Sequence, residues 1–229
     1  MVQTLQWDSD FFSMRIGKID IAPNDFLDVY RKLTEASDYY DLIYVFVKKA
    51  LQHRPKNVNL VDVKKVYAKF LSEVPVISDQ VSIYTDTIPN DDLYRLALIS
   101  GTCSRYNLDK QLPINSYERL YKRWIEQSVN GYMADKVLVH RSNRQIDGMV
   151  TVRIKDGIAS IGLIAVDKQI QGKGIGLKLI NAVEHFLLTK TSVRILEVAT
   201  QLNNVGACNF YKKCGFKIEN EMYVYHWWL

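Results

Sequence analysis

The sequence predicts an α/β (α+β) protein, a mixed sheet with helices packed on its faces. Three observations lead there. From residue 136 onward, strand-like and helix-like segments follow one another in the order β-β-β-α-β-α-β. A glycine-rich turn, Gln171-Gly172-Lys173-Gly174-Ile175-Gly176, joins an apolar run at Ile158–Val166 to Leu177, Ile180, Val183 and Leu187 at helical spacing. The chain has 229 residues, 48% of them hydrophobic, enough for one large domain or two small ones. A boundary is expected near residue 100, separating an N-terminal α/β extension (1–100) from a second domain (101–229).

Residues 1 to 22 read as a β-hairpin or two short strands, with Leu5, Trp7, Ile16, Ile19 and Ile21 as apolar positions and Phe11-Phe12 between them. Asn24 and Asp25 are expected to cap a helix from about Phe26 to Ala36. Residues 41–47 form a strand by their β-branched and aromatic content, and 59–70 form one long strand or a strand with a bulge. A short strand covers 80–84, and Pro75 and Pro89 mark breaks. Asp91-Asp92 cap a helix over 93–100. The polar stretch 101–109 reads as a loop that either only connects or offers Arg105 and Tyr106 to a ligand. Ser116 caps a helix from Tyr117 to about Asn130, with Leu120, Trp124, Ile125 and Val129 on its inner face.

Strands follow at 136–140, after a turn at Ser142-Asn143-Arg144 at 145–154, and after Asp156-Gly157 at 158–166. Gly148 permits a bulge, and Asp-Gly is a strong hairpin signal. The helix after the glycine turn runs to Lys190; a strand at 193–199, a helix from about Asn204 to Lys213 and a strand at 222–228 complete the pattern. The Trp227-Trp228 pair is expected to close the core and the sheet edge.

Composition removes several classes of function. No apolar run has the length of a membrane helix, so no membrane insertion is expected. The first residues lack the basic and apolar regions of a signal peptide. Cys103, Cys208 and Cys214 lack metal-ligand spacing, so no metal is expected and a reducing, cytoplasmic setting fits. The net charge of +5 is scattered in pairs such as Lys48-Lys49 and Lys212-Lys213, a pattern of solvated surface and not of nucleic-acid binding.

The glycine turn carries the first functional signal. Glycines let the backbone approach a ligand, and a helix start offers unpaired N–H groups at the positive end of its dipole. Together these suit phosphate oxygens. The hexapeptide alone fits a plain tight turn equally well. A Rossmann unit fails on order, because the turn comes late and the next strand ends in Ala199-Thr200-Gln201 without an acidic residue. A P-loop fails because no Gly-Lys-Ser/Thr follows.

Two motifs in order resemble the GCN5-related N-acetyltransferases, over roughly residues 115 to 229. One is Gln171-x-x-Gly174-x-Gly176 after a strand ending Ile164-Ala165-Val166; the other is Asn204-x-x-Ala207-x-x-Phe210-Tyr211-x-x-x-Gly215-Phe216. The resemblance implies the GNAT fold, a mixed and mostly antiparallel central sheet flanked by helices, and acetyl-CoA as cosubstrate. Gly162–Val166, the glycine turn, Val198–Gln201 and the aromatic last strand are similar to the TDP-fucosamine acetyltransferases, which acetylate the 4-amino group of a nucleotide-linked deoxysugar. So are Leu5-x-Trp7-Asp8-Ser9-x-Phe11-Phe12 and Ser104-Arg105-Tyr106. The implied partner is a small-molecule amine, a nucleotide amino-sugar used in polysaccharide synthesis; the alternatives are another small amine or a protein N-terminus as acceptor, or a non-catalytic CoA-binding module, and a homodimer formed through sheet edges is compatible with these.

By resemblance, the cofactor's pyrophosphate would lie on Gln171, Gly172, Lys173, Gly174, Ile175, Gly176 and Leu177. Its arm would pair with Ile164, Ala165 and Val166, where a free N–H polarises the thioester, and Asn204 would touch the same arm. Tyr211 takes the general-acid position, two turns along the helix from Asn204; the competing role is a core aromatic beside Phe210. Arg105, Tyr106 and Asp79 are candidates for contact with the amine substrate, to which the first hundred residues are expected to contribute. The base is open among Asp79, Glu197, His140, His185 and His226, each with a structural or surface role as the alternative; His185 falls on a helix face away from the turn.

Overall fold

The computed structural model describes residues 2–21, 30, 34–35, 37–52, 54–143 and 145–229. In chain order the elements are β1 (Gln3–Thr4), α1 (Gln6–Phe12), β2 (Ile16–Ile21), β3 (Leu42–Val47), β4 (Val58–Phe70), β5 (Val81–Ile83), α2 (Asp91–Ser100), α3 (Arg105–Leu108) and α4 (Ser116–Val129). They continue with β6 (Lys136–Ser142), β7 (Gln145–Lys155), β8 (Ile158–Val166), α5 (Ile175–Lys190), β9 (Ile195–Gln201), α6 (Val205–Lys213) and β10 (Lys217–Trp228). Among the described residues the strands form one ten-stranded sheet in the order β1-β2-β3-β10-β4-β9-β8-β7-β6-β5. The β2–β3 and β8–β9 pairs are parallel and the other pairs are antiparallel. This is the mixed sheet that the element order predicts, and it is mostly antiparallel, as the resemblance implies.

Strand β4 threads the N-terminal half into the sheet. It pairs with β9 from Lys64↔Gln201 to Phe70↔Ile195, and its other edge pairs with β10. Lys69 on β4 also reaches Glu184 on α5 at 2.5 Å. The boundary expected near residue 100 falls at the end of α2, and the sheet runs across it. Registers shift where Val61 on β4 lies between the pairs Val224–Asp62 and Tyr225–Leu60, and again where Glu219 on β10 is unmatched.

Helices cover both faces. On one, α5 and α6 bury Leu179, Ile180, Val183, Leu187, Cys208 and Tyr211 against Leu196, Val198 and Ile161. On the other, α1, α2 and α4 bury Phe12, Leu93, Leu96, Leu120 and Ile125 against Leu42, Tyr44, Leu163 and Ala165. Each such aliphatic side chain contributes about 1.5–3 kcal/mol, so packing of these stripes outweighs local propensity. A third cluster joins Ile43, Val45, Tyr225 and Trp227. No helix among the described residues is long and apolar enough to cross a membrane.

Several local expectations are corrected. Residues 6–12 are helical, not half of a hairpin, because their contacts lie at i,i+4: Trp7 stacks on Phe11 at 5.0 Å, and Gln6 donates to Asp10 at 2.8 Å. Asn90, not Asp91 or Asp92, caps α2 by accepting from the Leu93 amide. Ser116 lies inside α4 and its buried Oγ has no partner among the described residues, while Asn115 holds the cap position. The stretch 101–109 contains α3. Leu177 is exposed, and Ile175 and Leu179 take the inner positions. Strand β10 is internal to the sheet, so Trp227 and Trp228 pack on opposite faces and close no edge. The helix expected from Phe26 to Ala36, with Asn24 and Asp25 as caps, lies outside the described residues except at Tyr30, Thr34 and Glu35, and so does Arg144 of the turn before β7.

Gly101 at the end of α2 is fixed by the ring beside it. A Cβ there would sit 2.2 Å from the ring of Tyr121, which is buried in the α2–α4 core. Gly101→Ala is therefore expected to lower stability by about 1–3 kcal/mol through overpacking. Urea unfolding checks this; an unchanged midpoint would mean that the Tyr121 ring moves aside freely.

Candidate active site

Strands β8 and β9 pair only from Ile158↔Ile195 to Ile161↔Val198 and then part. The cause lies on the other edge of β8. There Thr151 of β7 faces two residues, Gly162 and Leu163, and its hydroxyl accepts from the Leu163 amide at 2.9 Å. Beyond this bulge, Gly162–Val166 and Ala199–Gln201 flank an opening in the sheet. A Cβ at Gly162 would meet Thr151 Oγ1 at 3.0 Å and Trp124 Nε1 at 3.5 Å, so glycine keeps this passage clear and Trp124 stands beside it.

The glycine turn begins where β8 ends. Asp167 accepts from the Gln169 amide at 2.9 Å, and Gln171 Nε2 donates back to the Val166 carbonyl at 3.0 Å. Arg95 from α2 forms an ion pair with Asp167, and Arg95 also bonds Asp92, which accepts from the Ile146 amide. The turn is thereby fastened to α2 and β7. Gly172 and Gly174 have φ of 81° and 79°, and a Cβ on either would meet nothing within 4 Å. Their role is backbone conformation and open approach. No side chain caps α5, so its first amides are free to bind an anion. Gly176 differs, because a Cβ there would press on the Phe210 ring at 3.0 Å, and it serves the contact between α5 and α6.

Asn204 caps α6 by accepting from the Ala207 amide at 3.2 Å. Tyr211 is buried between Tyr67, Phe210 and Phe216, with ring centroids 5.4–5.8 Å away. Burial raises its phenol well above the ordinary value, with Cys214 and Cys208 adding to the shift.

On the opposite face of the sheet a polar cluster lies over β4. Asp62 is 7% exposed, and its Oδ1 has no hydrogen-bond partner among the described residues. Burial pushes its carboxyl up to about 6, against the pull of Arg105 and Lys64. The Arg105 guanidinium lies 4.8 Å from the Tyr44 ring and 4.6 Å from the Tyr106 ring, and it donates to the Tyr106 hydroxyl at 2.7 Å. Arg105 Nε, the Tyr44 hydroxyl and Ser104 Oγ are buried with no partner at hydrogen-bond distance among the described residues. Burial and the Arg105 charge lower the Lys64 ammonium, and burial also raises the Asp8 carboxyl while Arg105 opposes it. Tyr121 borders Trp124 at 5.7 Å, which links this cluster to the opening between β8 and β9.

The structure thus gathers Ile164–Val166 and residues 171–177 at the parting strands, and Arg105 with Tyr106 over β4. Asp79 is exposed in the turn before β5, at the far edge of the sheet, and is not brought to Arg105. Glu197 lies opposite Ser160 and Ala68, where β8 and β9 are still paired. His140 and His226 are buried with Nδ1 at 2.5 Å from Asp147 and Asp109 respectively, and His185 Nδ1 lies 3.3 Å from the Pro75 carbonyl. Asp62 and Tyr44 went unnoticed in the sequence; the available signal was one carboxylate inside the apolar run Leu60-Val61-Asp62-Val63. A surface depression of about 990 Å³, lined in part by Thr4, Gln6, Asp10 and Tyr40, sits toward the β1 edge and contains none of these groups.

Residues 103–216 match the Acetyltransferase (GNAT) family. The chain is 31% identical over 134 residues to the spore coat polysaccharide biosynthesis protein SpsD of Bacillus subtilis (strain 168), covering 58% of this chain and 45% of that one. It is 34% identical over 85 residues to a streptothricin acetyltransferase of Escherichia coli, covering 31% and 48%. The chain thus spans less than half the length of these two relatives. The crystal structure of a GCN5-related N-acetyltransferase from Sphaerobacter thermophilus matches with a TM-score of 0.56 at 15% identity, over 91% of this chain and 72% of that one, a likeness of fold. Its strand parting, glycine turn and matching sequence place the chain in the GCN5-related N-acetyltransferase superfamily, to which it belongs.

Proposed function

We propose that the protein moves the acetyl group of acetyl-CoA to the amine of a nucleotide-linked amino-deoxysugar by direct attack. The observation that carries this reading is the opening between β8 and β9, with the uncapped start of α5 at one end and Trp124 beside it. Amides from Gly172 to Leu177 hold the pyrophosphate. The free edge of β8 at Ile164–Val166 pairs with the pantetheine arm, and one of its N–H groups bonds the thioester oxygen as that oxygen gains charge. The amine nitrogen then bonds to the carbonyl carbon, and the carbon–sulfur bond breaks. The amine loses its proton to solvent, the thiolate takes one from the Tyr211 hydroxyl, and the phenolate regains a proton from solvent. Asn204 touches the cofactor arm with the side-chain amide that the cap leaves free.

The sugar assignment draws support from SpsD, a protein named for polysaccharide biosynthesis. Likeness to a streptothricin acetyltransferase favours a second reading, another small amine as acceptor. The purified protein would be given acetyl-CoA with TDP-4-amino-4,6-dideoxygalactose, spermidine or a short peptide, and release of free CoA followed. The amino-sugar is expected to give the highest kcat/KM. Consumption of acetyl-CoA with spermidine or the peptide, but not with the amino-sugar, would end the nucleotide-sugar reading.

A further inference from the structure

We infer that Tyr44, Asp62, Ser104 and Arg105 form the acceptor subsite, and that it takes a hydroxyl-bearing amine and disfavours a polycation. The inference rests on the acetyl-transfer reading for where an amine must arrive, but its own ground is separate. Most buried polar atoms are paired. Here, among the described residues, four have no partner at hydrogen-bond distance: the Tyr44 hydroxyl, Asp62 Oδ1, Ser104 Oγ and Arg105 Nε. Asp8 and Tyr106 stand next nearest to the Tyr44 hydroxyl, and Tyr121 to Ser104. They come from β3, β4 and the start of α3, and Arg105 brings them together by stacking on Tyr44 and interacting electrostatically with Asp62.

The chemistry of the four atoms selects the ligand. Asp62 Oδ1 accepts, Arg105 Nε donates, and the two hydroxyls do either. A sugar hydroxyl also does both, so a ring bearing several hydroxyls can satisfy such a mixed set. A purely cationic chain offers donors alone, which leaves Arg105 Nε unpaired. Charge points the same way. Arg105 and Lys64 balance Asp62 and Asp8 around the site, so it presents no net negative charge to draw a polyamine.

Position connects the subsite to the reaction. Lys64 lies two residues from Asp62, and its partner across the β4–β9 pair is Gln201, at the end of β9 where it has left β8. Two residues of strand span about 7 Å, and β8 lies two strands from β4 at about 4.8 Å each. Tyr121 and Trp124 continue the path from Arg105 to Gly162. A ring held at Asp62 can therefore direct its amine at the opening.

Calorimetry on the full chain saturated with CoA tests this without turnover. The probes are TDP-4-amino-4,6-dideoxygalactose and spermidine. The amino-sugar is expected to bind at least about tenfold more tightly than spermidine. Asp62→Asn is expected to weaken sugar binding about tenfold or more, as for a lost hydrogen bond to a charged group, and Tyr44→Phe about threefold. CoA affinity should stay within about twofold in both. Tyr44→Phe removes one hydroxyl, near Asp8 and Tyr106, and leaves the buried ring in place, so with its fold checked by urea unfolding it decides the matter if Asp62→Asn fails to fold. Unchanged sugar affinity in the variants, equal binding of spermidine, or no sugar binding by the parent protein overturns the subsite. Tight sugar binding without acetyl transfer leaves the subsite standing and removes the activity reading alone.

Discussion

Tyr211→Phe is expected to lower kcat by about 10²–10⁴-fold, the range for loss of a general acid, with little change in CoA affinity. The ring stays where it is, because the substitution keeps its contacts with the rings of Tyr67, Phe210 and Phe216. Stability should not fall, since the Tyr211 hydroxyl makes no hydrogen bond to a described residue. A loss of rate with an intact fold then reports on proton donation. Burial keeps the phenol protonated well beyond neutral pH, so ionisation of Tyr211 should not appear in a kcat profile between pH 6 and about 9. A variant that retains kcat within about threefold would make Tyr211 a core aromatic, the competing role that its burial equally serves.

The geometry of the glycine turn, proposed above as the cofactor side, was legible because it is local. The amides of the glycine turn, the preceding strand and the following helix are neighbours in sequence, and φ values of 81° and 79° at Gly172 and Gly174 are what such glycines permit. The Asp156-Gly157 hairpin was legible for the same reason, with both residues at positive φ. The bulge at Gly162-Leu163 was less so, because it depends on Thr151, eleven residues earlier than Gly162 and on another strand. The cluster proposed as the acceptor side was hardest to see. Arg105 stood out as a charge in a polar stretch, but Asp62 reaches it only because β4 enters the sheet between β9 and β10. No period in the sequence announces that insertion; it follows from which strand edges remain free for pairing. At residues 6–12 the apolar positions suited both periods, and tertiary contact of Phe12 with Tyr106 accompanies the helical outcome.

Asp62→Asn should make the protein more stable near neutral pH, even as it weakens the proposed acceptor site. The Asp62 carboxyl is raised by burial from 3.8 to about 6. A folded-state value above the unfolded one means that the unfolded chain ionises first. The group's favourable contribution is therefore full below pH 3.8 and is lost as pH rises through about 6. The shift of about two units at about 1.36 kcal/mol each sets a limit of roughly 3 kcal/mol. Asparagine does not ionise, so the variant should exceed the parent by up to that amount at pH 7.5, with the gap closing toward pH 4. Urea unfolding at pH 4.5, 6 and 7.5 reads it directly. A variant less stable than the parent at pH 7.5 would mean that Arg105 and Lys64 hold the carboxylate more strongly than burial opposes it. The two expected effects have opposite signs, which separates them from a simple core defect: damage to packing lowers stability and binding together, whereas a buried carboxylate kept for a ligand costs stability until the ligand arrives.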